Sequence, residues 1–198
     1  MRALIGLPAM VASAVLAWAA VSTADTSSSR DSTASSAEIA GQQVAAFRRS
    51  RAASDALRPD DLDRSPLLAD AGSDVVDLSQ SRLLNERHRL FAAPTKDGRA
   101  LCVVGAGILG CRDAVAFAAE GAAPSVYWHA DGVVRLASLV SDDVPELEAV
   151  FDDGSTQTVG VVAGVAVAVL RGRPAAIRWT GRNGSVHINA PDSSLVEP

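Results

Sequence analysis

From Arg87 onward the chain consists of short apolar runs that alternate with polar positions and are divided by turn dipeptides. Leu147, Ala149 and Phe151 fall on one side of an extended segment, with Glu146 and Glu148 on the other. Ala175, Ile177 and Trp179 are set against Arg178 and Thr180 in the same way, and Val186 and Ile188 flank His187. A period of two is that of a half-buried strand. Val165, Val167 and Val169 alternate with Ala166 and Ala168, which predicts a strand covered on both faces. Asp97-Gly98, Asp131-Gly132, Asp153-Gly154 and Asn183-Gly184 predict tight hairpin turns, whose residues need positive φ. Pro145, Pro174 and Pro191 fall at strand edges or in loops, where a missing N–H is tolerated. One short helix, Arg112 to Glu120, interrupts the pattern. The expected fold is mainly β: an antiparallel β-sandwich or partly open barrel over residues 87–190, followed by a tail over 191–198.

Upstream the texture differs. Ser35 to Glu38 has capping-box spacing, and Ala40, Val44 and Phe47 follow at helical intervals. A helix is expected from Ala37 to Ala56, stopped at Arg58-Pro59 and docked lightly through a narrow apolar stripe. A second helical piece is expected from Leu78 to Leu84, so that 37–86 forms a helical or irregular segment. Residues 25–36, DTSSSRDSTASS, have too little apolar surface to offset ordering entropy and predict a disordered tether. Residues 3–21 carry no charge; Arg2 precedes them and Ser22-Thr23-Ala24 follows. This pattern predicts a secretory signal over 1–24, cleaved after Ala24. The competing reading is an uncleaved anchor, because as a helix the run would span roughly 28 Å, near the thickness of a bilayer core. Both readings place the chain outside the cytoplasm, secreted or extracytoplasmic, with membrane contact only through residues 3–21.

Composition narrows the function. With 18 Lys+Arg against 23 Asp+Glu, the net charge is -5, and Lys96 is the one lysine. No clustered positive charge is available to displace the counterions of a nucleic acid, so nucleic acid is excluded as a partner. At 198 residues the chain is too short for a multidomain enzyme.

The stretch Leu101-Cys-Val-Val-Gly105-Ala-Gly107-Ile-Leu-Gly110 has the G-x-G-x-x-G spacing of a dinucleotide-binding turn. Tyr127, Trp128 and His129 stand where an acidic ribose partner belongs, and hairpins follow instead of a second β-α-β unit. No cofactor is therefore expected. Cys102 and Cys111 are the two cysteines of a chain read as exported, which predicts a disulfide between them. Closing so short a loop constrains the unfolded chain by about 2.7 kcal/mol. His88, His129 and His187 are expected at the solvated surface, the last two opposite the apolar neighbours in their strands. Asp142-Asp143 and Asp152-Asp153 lack the spacing of a calcium loop, and Asn183-Gly-Ser is read as a turn. No catalytic, cofactor-binding or metal-ligating residue is assigned.

The stretch from Leu90 to His187 carries an apolar strand ending in Pro94, the two cysteines, Gly121 after a short helix, and the segments LVSDDV, FDDGST and RPAAIRWT. It resembles a group of functionally uncharacterised exported proteins of high-GC Gram-positive bacteria. The valine-alanine run from Val161 to Val169 departs from that group, where a more polar, turn-containing segment is expected. The resemblance implies a fold style and a location, and no activity. The expected function is that of a non-enzymatic extracytoplasmic β domain, binding or scaffolding an envelope protein or ligand. The alternatives are a small hydrolase using a histidine and a dinucleotide-binding fragment. Convergence of His88 or His129 with an Asp and a Ser would mark the hydrolase; an exposed apolar patch without it would mark binding.

Overall fold

The computed structural model describes residues 34–58, 75–105, 108–128 and 132–191. The expected export segment 3–21, residues 25–33 of the expected tether, the tail from residue 192 and His129 lie outside the described residues, whereas Ser35 and Ser36 of that tether cap and begin the first helix. Among the described residues no helix is long and apolar enough to cross a membrane.

The fold is mainly β and antiparallel throughout. Strands β1 (Arg82–Asn85), β2 (Leu90–Pro94), β3 (Ala100–Gly105) and β4 (Ile108–Asp113) form a meander in sequence order. Strands β5 (Ala122–Trp128), β6 (Val134–Val140), β7 (Glu146–Val150), β8 (Thr156–Val162), β9 (Val165–Leu170), β10 (Ala176–Thr180) and β11 (Val186–Asn189) form a second sheet, ordered β11-β10-β7-β8-β9-β6-β5. This larger sheet curls until its two edges meet. Asn189 Nδ2 on β11 donates to the Pro124 carbonyl on β5, 3.4 Å away, and the Trp179 indole donates to the Glu120 carbonyl just before β5, at 2.7 Å. The result is a nearly closed barrel. Pro124 fits within β5 because that strand is an edge, where no ladder donor is needed.

All four Asx-Gly signals join antiparallel neighbours, and each glycine has φ near +70° to +80°. A fifth turn had no such signal. Ala163 and Gly164, at φ 54° and 80°, fold the Val161–Val169 run into the β8–β9 hairpin. Only Val161–Val162 pair with Val165–Ala166 across it. Beyond them the strands part, β8 to β7 and β9 to β6, and the Gln157 carboxamide spans the gap, donating to the Val169 carbonyl and accepting from the Arg171 amide. This splay is what lets the sheet curl.

Three apolar cores follow. Leu147, Ala149, Ile177 and Trp179 point into the barrel with Leu136, as the alternation predicts. The other face of β6 packs Ala137 and Leu139 against Leu101 and Val103 of the small sheet and Phe117 of the helix Ala114–Glu120. Phe91, Cys102 and Val104 on the far side of the small sheet lie under Leu57 and Val76.

The long helix expected over 37–56 is instead two short helices, α1 (Ser36–Gly41) and α2 (Ala45–Arg48), and a 3-10 turn at Ala53–Asp55. The predicted capping box is present: Ser35 Oγ accepts from the Glu38 amide, and the Glu38 carboxylate accepts from the Ser35 amide. The break has a tertiary cause. The Gln43 carbonyl accepts from the Asp142 amide, the Gln43 side chain donates to the Ala118 carbonyl, and Asp142 in turn accepts from the Ala45 amide and pairs with Arg48. These bonds replace the helical ones. Nor is the docking light, since Ala37, Ala40 and Val44 are fully enclosed. Leu78 to Leu84 is likewise not a helix. A 3-10 turn at Leu78–Gln80 leads into β1, where pairing with β2 outweighs local helical preference. The remaining helix, α3 (Ala114–Glu120), is capped by Asp113, whose carboxylate accepts from the Val115 and Ala116 amides.

Candidate functional site

The core between the two sheets is wedge-shaped, and its open end forms a cleft. Along the outward face of β6, Leu139 and Ala137 are buried, and Arg135 is only half-buried. Along the facing residues of β9, Val165 is 2% exposed, Val167 intermediate, and Val169 61% exposed. The wall on the other side comes from the β1–β2 turn, with Arg87 and His88, the first residue of β2, Leu90, and the first of β4, Ile108. The volume is about 400 Å³, within the range of small-molecule sites. Apolar surface makes up most of the lining.

The cations at this mouth are unusual for this molecule. Arg48, Arg49, Arg112, Arg178 and Arg182 each pair with a carboxylate. Among the described residues, Arg87 and Arg135 have neither an ionic nor a hydrogen-bonding side-chain partner. The Nε of Arg135 is buried and lacks an acceptor, as do those of Arg82 and Arg112, but those two arginines place their other guanidinium nitrogens on acceptors and Arg135 does not; such an arrangement costs stability unless something else supplies one. Tyr127, directly opposite Arg135 on β5, is buried with its hydroxyl toward Gly110, and burial pushes that phenol well above its ordinary range although Ser125 beside it acts the other way. His88 sits on the exposed turn, its amide held by the Asn85 side chain. The arrangement can hold an anion whose remaining surface is apolar.

A second concavity, on the outer face of β7, β10 and β11, is lined by Glu146, Glu148, Arg178, Thr180 and Val186. Its charges satisfy each other, because Arg178 Nε and Nη2 both donate to Glu148 Oε2.

No family model, no curated protein and no solved structure matches this chain. The site therefore rests on its own geometry.

The residues singled out from sequence fall in several places. Cys102 and Cys111 are bonded to each other across β3 and β4, where they are register partners. The G-x-G-x-x-G stretch is the β3–β4 hairpin, antiparallel on both sides, and not a strand-turn-helix. Gly105 and Gly110 answer to packing. A Cβ on Gly105, at φ 126°, would lie 2.1 Å from the Arg89 carbonyl, and one on Gly110 would lie 2.0 Å from Ser125 Oγ.

The expectation for His187 is reversed. Val186 and Ile188 are the exposed residues of β11, and His187 turns inward to stack on Trp179 with ring centroids 5.5 Å apart. Register with Trp179 fixes this orientation, because His187 and Asn189 pair with the inward-facing Trp179 and Ile177 and so continue the barrel face. Gly181 leaves room for it. Asp142 caps α2, Asp143 pairs with Arg182, and Asp153 accepts from the Ser155 amide in its turn. Asn183 does the same for the Ser185 amide. The cleft arginines gave no sequence signal, since neither Arg87 nor Arg135 belongs to a motif.

Proposed function

We propose that the chain is a non-enzymatic extracytoplasmic domain that binds or scaffolds a component of the cell envelope, with the wedge cleft as its contact site. One observation carries this reading: an apolar cleft whose two cations lack partners within the described protein. In water-exposed arginines such a lack is ordinary, but here Arg135 Nε is buried, so an outside acceptor is the natural complement. The apolar segment 3–21 and the small-residue site ending at Ala24 support delivery across the membrane.

The test uses protein recovered from the exporting cell. N-terminal sequencing is expected to begin at Asp25; a full-length product released only by detergent would replace cleavage with anchoring. A photo-crosslinking residue placed at His88 should capture an envelope component, and Arg87→Gln should reduce that capture. Equal capture by both proteins would remove the cleft from the function. His88 at the rim is the observation a hydrolase reading would use. Turnover of an ester panel that disappears in His88→Ala would favour that alternative.

A further inference from the structure

We propose that the cleft is a receptor for small anionic amphiphiles, molecules with one oxyanion head and a short unbranched apolar body. The proposal rests on the reading of the chain as a binding domain and names its ligand class.

Two features of the wedge select the head. Arg135 sits where the β6 face passes from core to solvent, with its Nε desolvated and unsatisfied. Arg87 reaches the same space from the opposite wall and has no carboxylate of its own. Two guanidiniums facing one cavity repel each other and attract an oxyanion, which each can meet through paired N–H donors. A cation is disfavoured for the same reason. A neutral apolar ligand would leave the Arg135 donor unpaired.

The walls select the body. Leu90, Ile108, Val167 and Val169 line the cavity between the cations. Val169 is 61% exposed one residue from the end of β9, where the covered face gives way to solvent, and covering it by an apolar chain is favourable. The volume, about 400 Å³, is at the small end for ligand sites. That fits a single short chain and excludes a two-chain lipid entering whole.

Decanoate, decyl phosphate, decylamine and acetate are the probes, titrated into the full chain by calorimetry. Decanoate and decyl phosphate should bind saturably, and acetate and decylamine at least about tenfold more weakly. Comparable binding of decylamine would overturn the charge argument, and comparable binding of acetate the apolar one. The ratio of decanoate to decyl phosphate tells a fatty acid from a phosphorylated amphiphile. Arg135→Gln and Arg87→Gln should each weaken decanoate about tenfold, the usual effect of losing a charged hydrogen bond. Arg87 is on an exposed turn, so its variant keeps the test valid should Arg135→Gln disturb folding. Decanoate binding untouched by Arg87→Gln places the ligand elsewhere, on the apolar segment 3–21 for example, and sinks the proposal.

An envelope component captured from His88 without any decanoate binding would overturn this ligand class and leave the binding-domain reading standing. Hydrolysis of a decanoyl ester by the protein would instead overturn the binding-domain reading.

Discussion

The Asp55 side chain is fully enclosed and accepts from Arg49, from the Ala52 amide at 2.7 Å and from the Leu83 amide at 2.8 Å. It ties α2, the 3-10 turn and β1 together. The Arg49 guanidinium, helped by the two amides, holds this carboxyl far below the usual carboxylate range. A depressed folded pKa gives stability that is fully present above the unfolded value, near pH 4, and is lost as pH falls toward the folded one. Asp55→Asn should therefore cost about 1–3 kcal/mol at pH 7. The gap between variant and wild type should narrow below about pH 4, as the wild type loses its advantage. Urea melts at pH 7 and pH 3 measure both, and a gap independent of pH would rule out the ionised carboxylate as the source. Gly110 makes a steric point at the same scale. Gly110→Ala forces a Cβ onto Ser125 and should destabilise by about 1–3 kcal/mol. A thermal melt unchanged by that substitution would show that β4 and β5 can move apart.

Among the elements, those built from a repeating pattern were legible and those built from a distant partner were not. The Leu147-Ala149-Phe151 alternation and the Asx-Gly turns are local features, so β7 and four hairpins could be read directly. The β8–β9 turn could not, because Ala163 adopts a positive φ that its residue type does not advertise. The broken helix depended on Asp142, and the inward His187 on its register with Trp179; neither partner is visible from the neighbouring sequence. The cleft was illegible for a related reason: Arg87 and Arg135 meet only through sheet packing. The disulfide was legible because two cysteines allow one pairing. Its setting in an already paired hairpin limits its worth, so replacing both cysteines by Ser should cost about 2–3 kcal/mol, the low end for such bridges. Denaturant midpoints of the double variant check this, and identical midpoints would make the bridge redundant with the strand pairing.

The whole molecule is closed by few contacts. Trp179 is one of them: 4% exposed, it fills the barrel, stacks on His187 and donates to the Glu120 carbonyl near the opposite sheet edge. Trp179→Ala should cost about 3–5 kcal/mol, whereas Trp179→Phe should lose the hydrogen bond and part of the stacking, about 1–2 kcal/mol. If the two variants melt alike, the indole N–H and not the ring volume would be holding the barrel shut. Another contact joins parts of the chain that lie far apart in sequence. Val44, near the start of the described residues, packs where a Cβ on Gly164 would come within 2.6 Å of it. Gly164 lies in the β8–β9 turn, more than half the chain further on. The seat of Val44 is therefore complete only once the β8–β9 turn has been made.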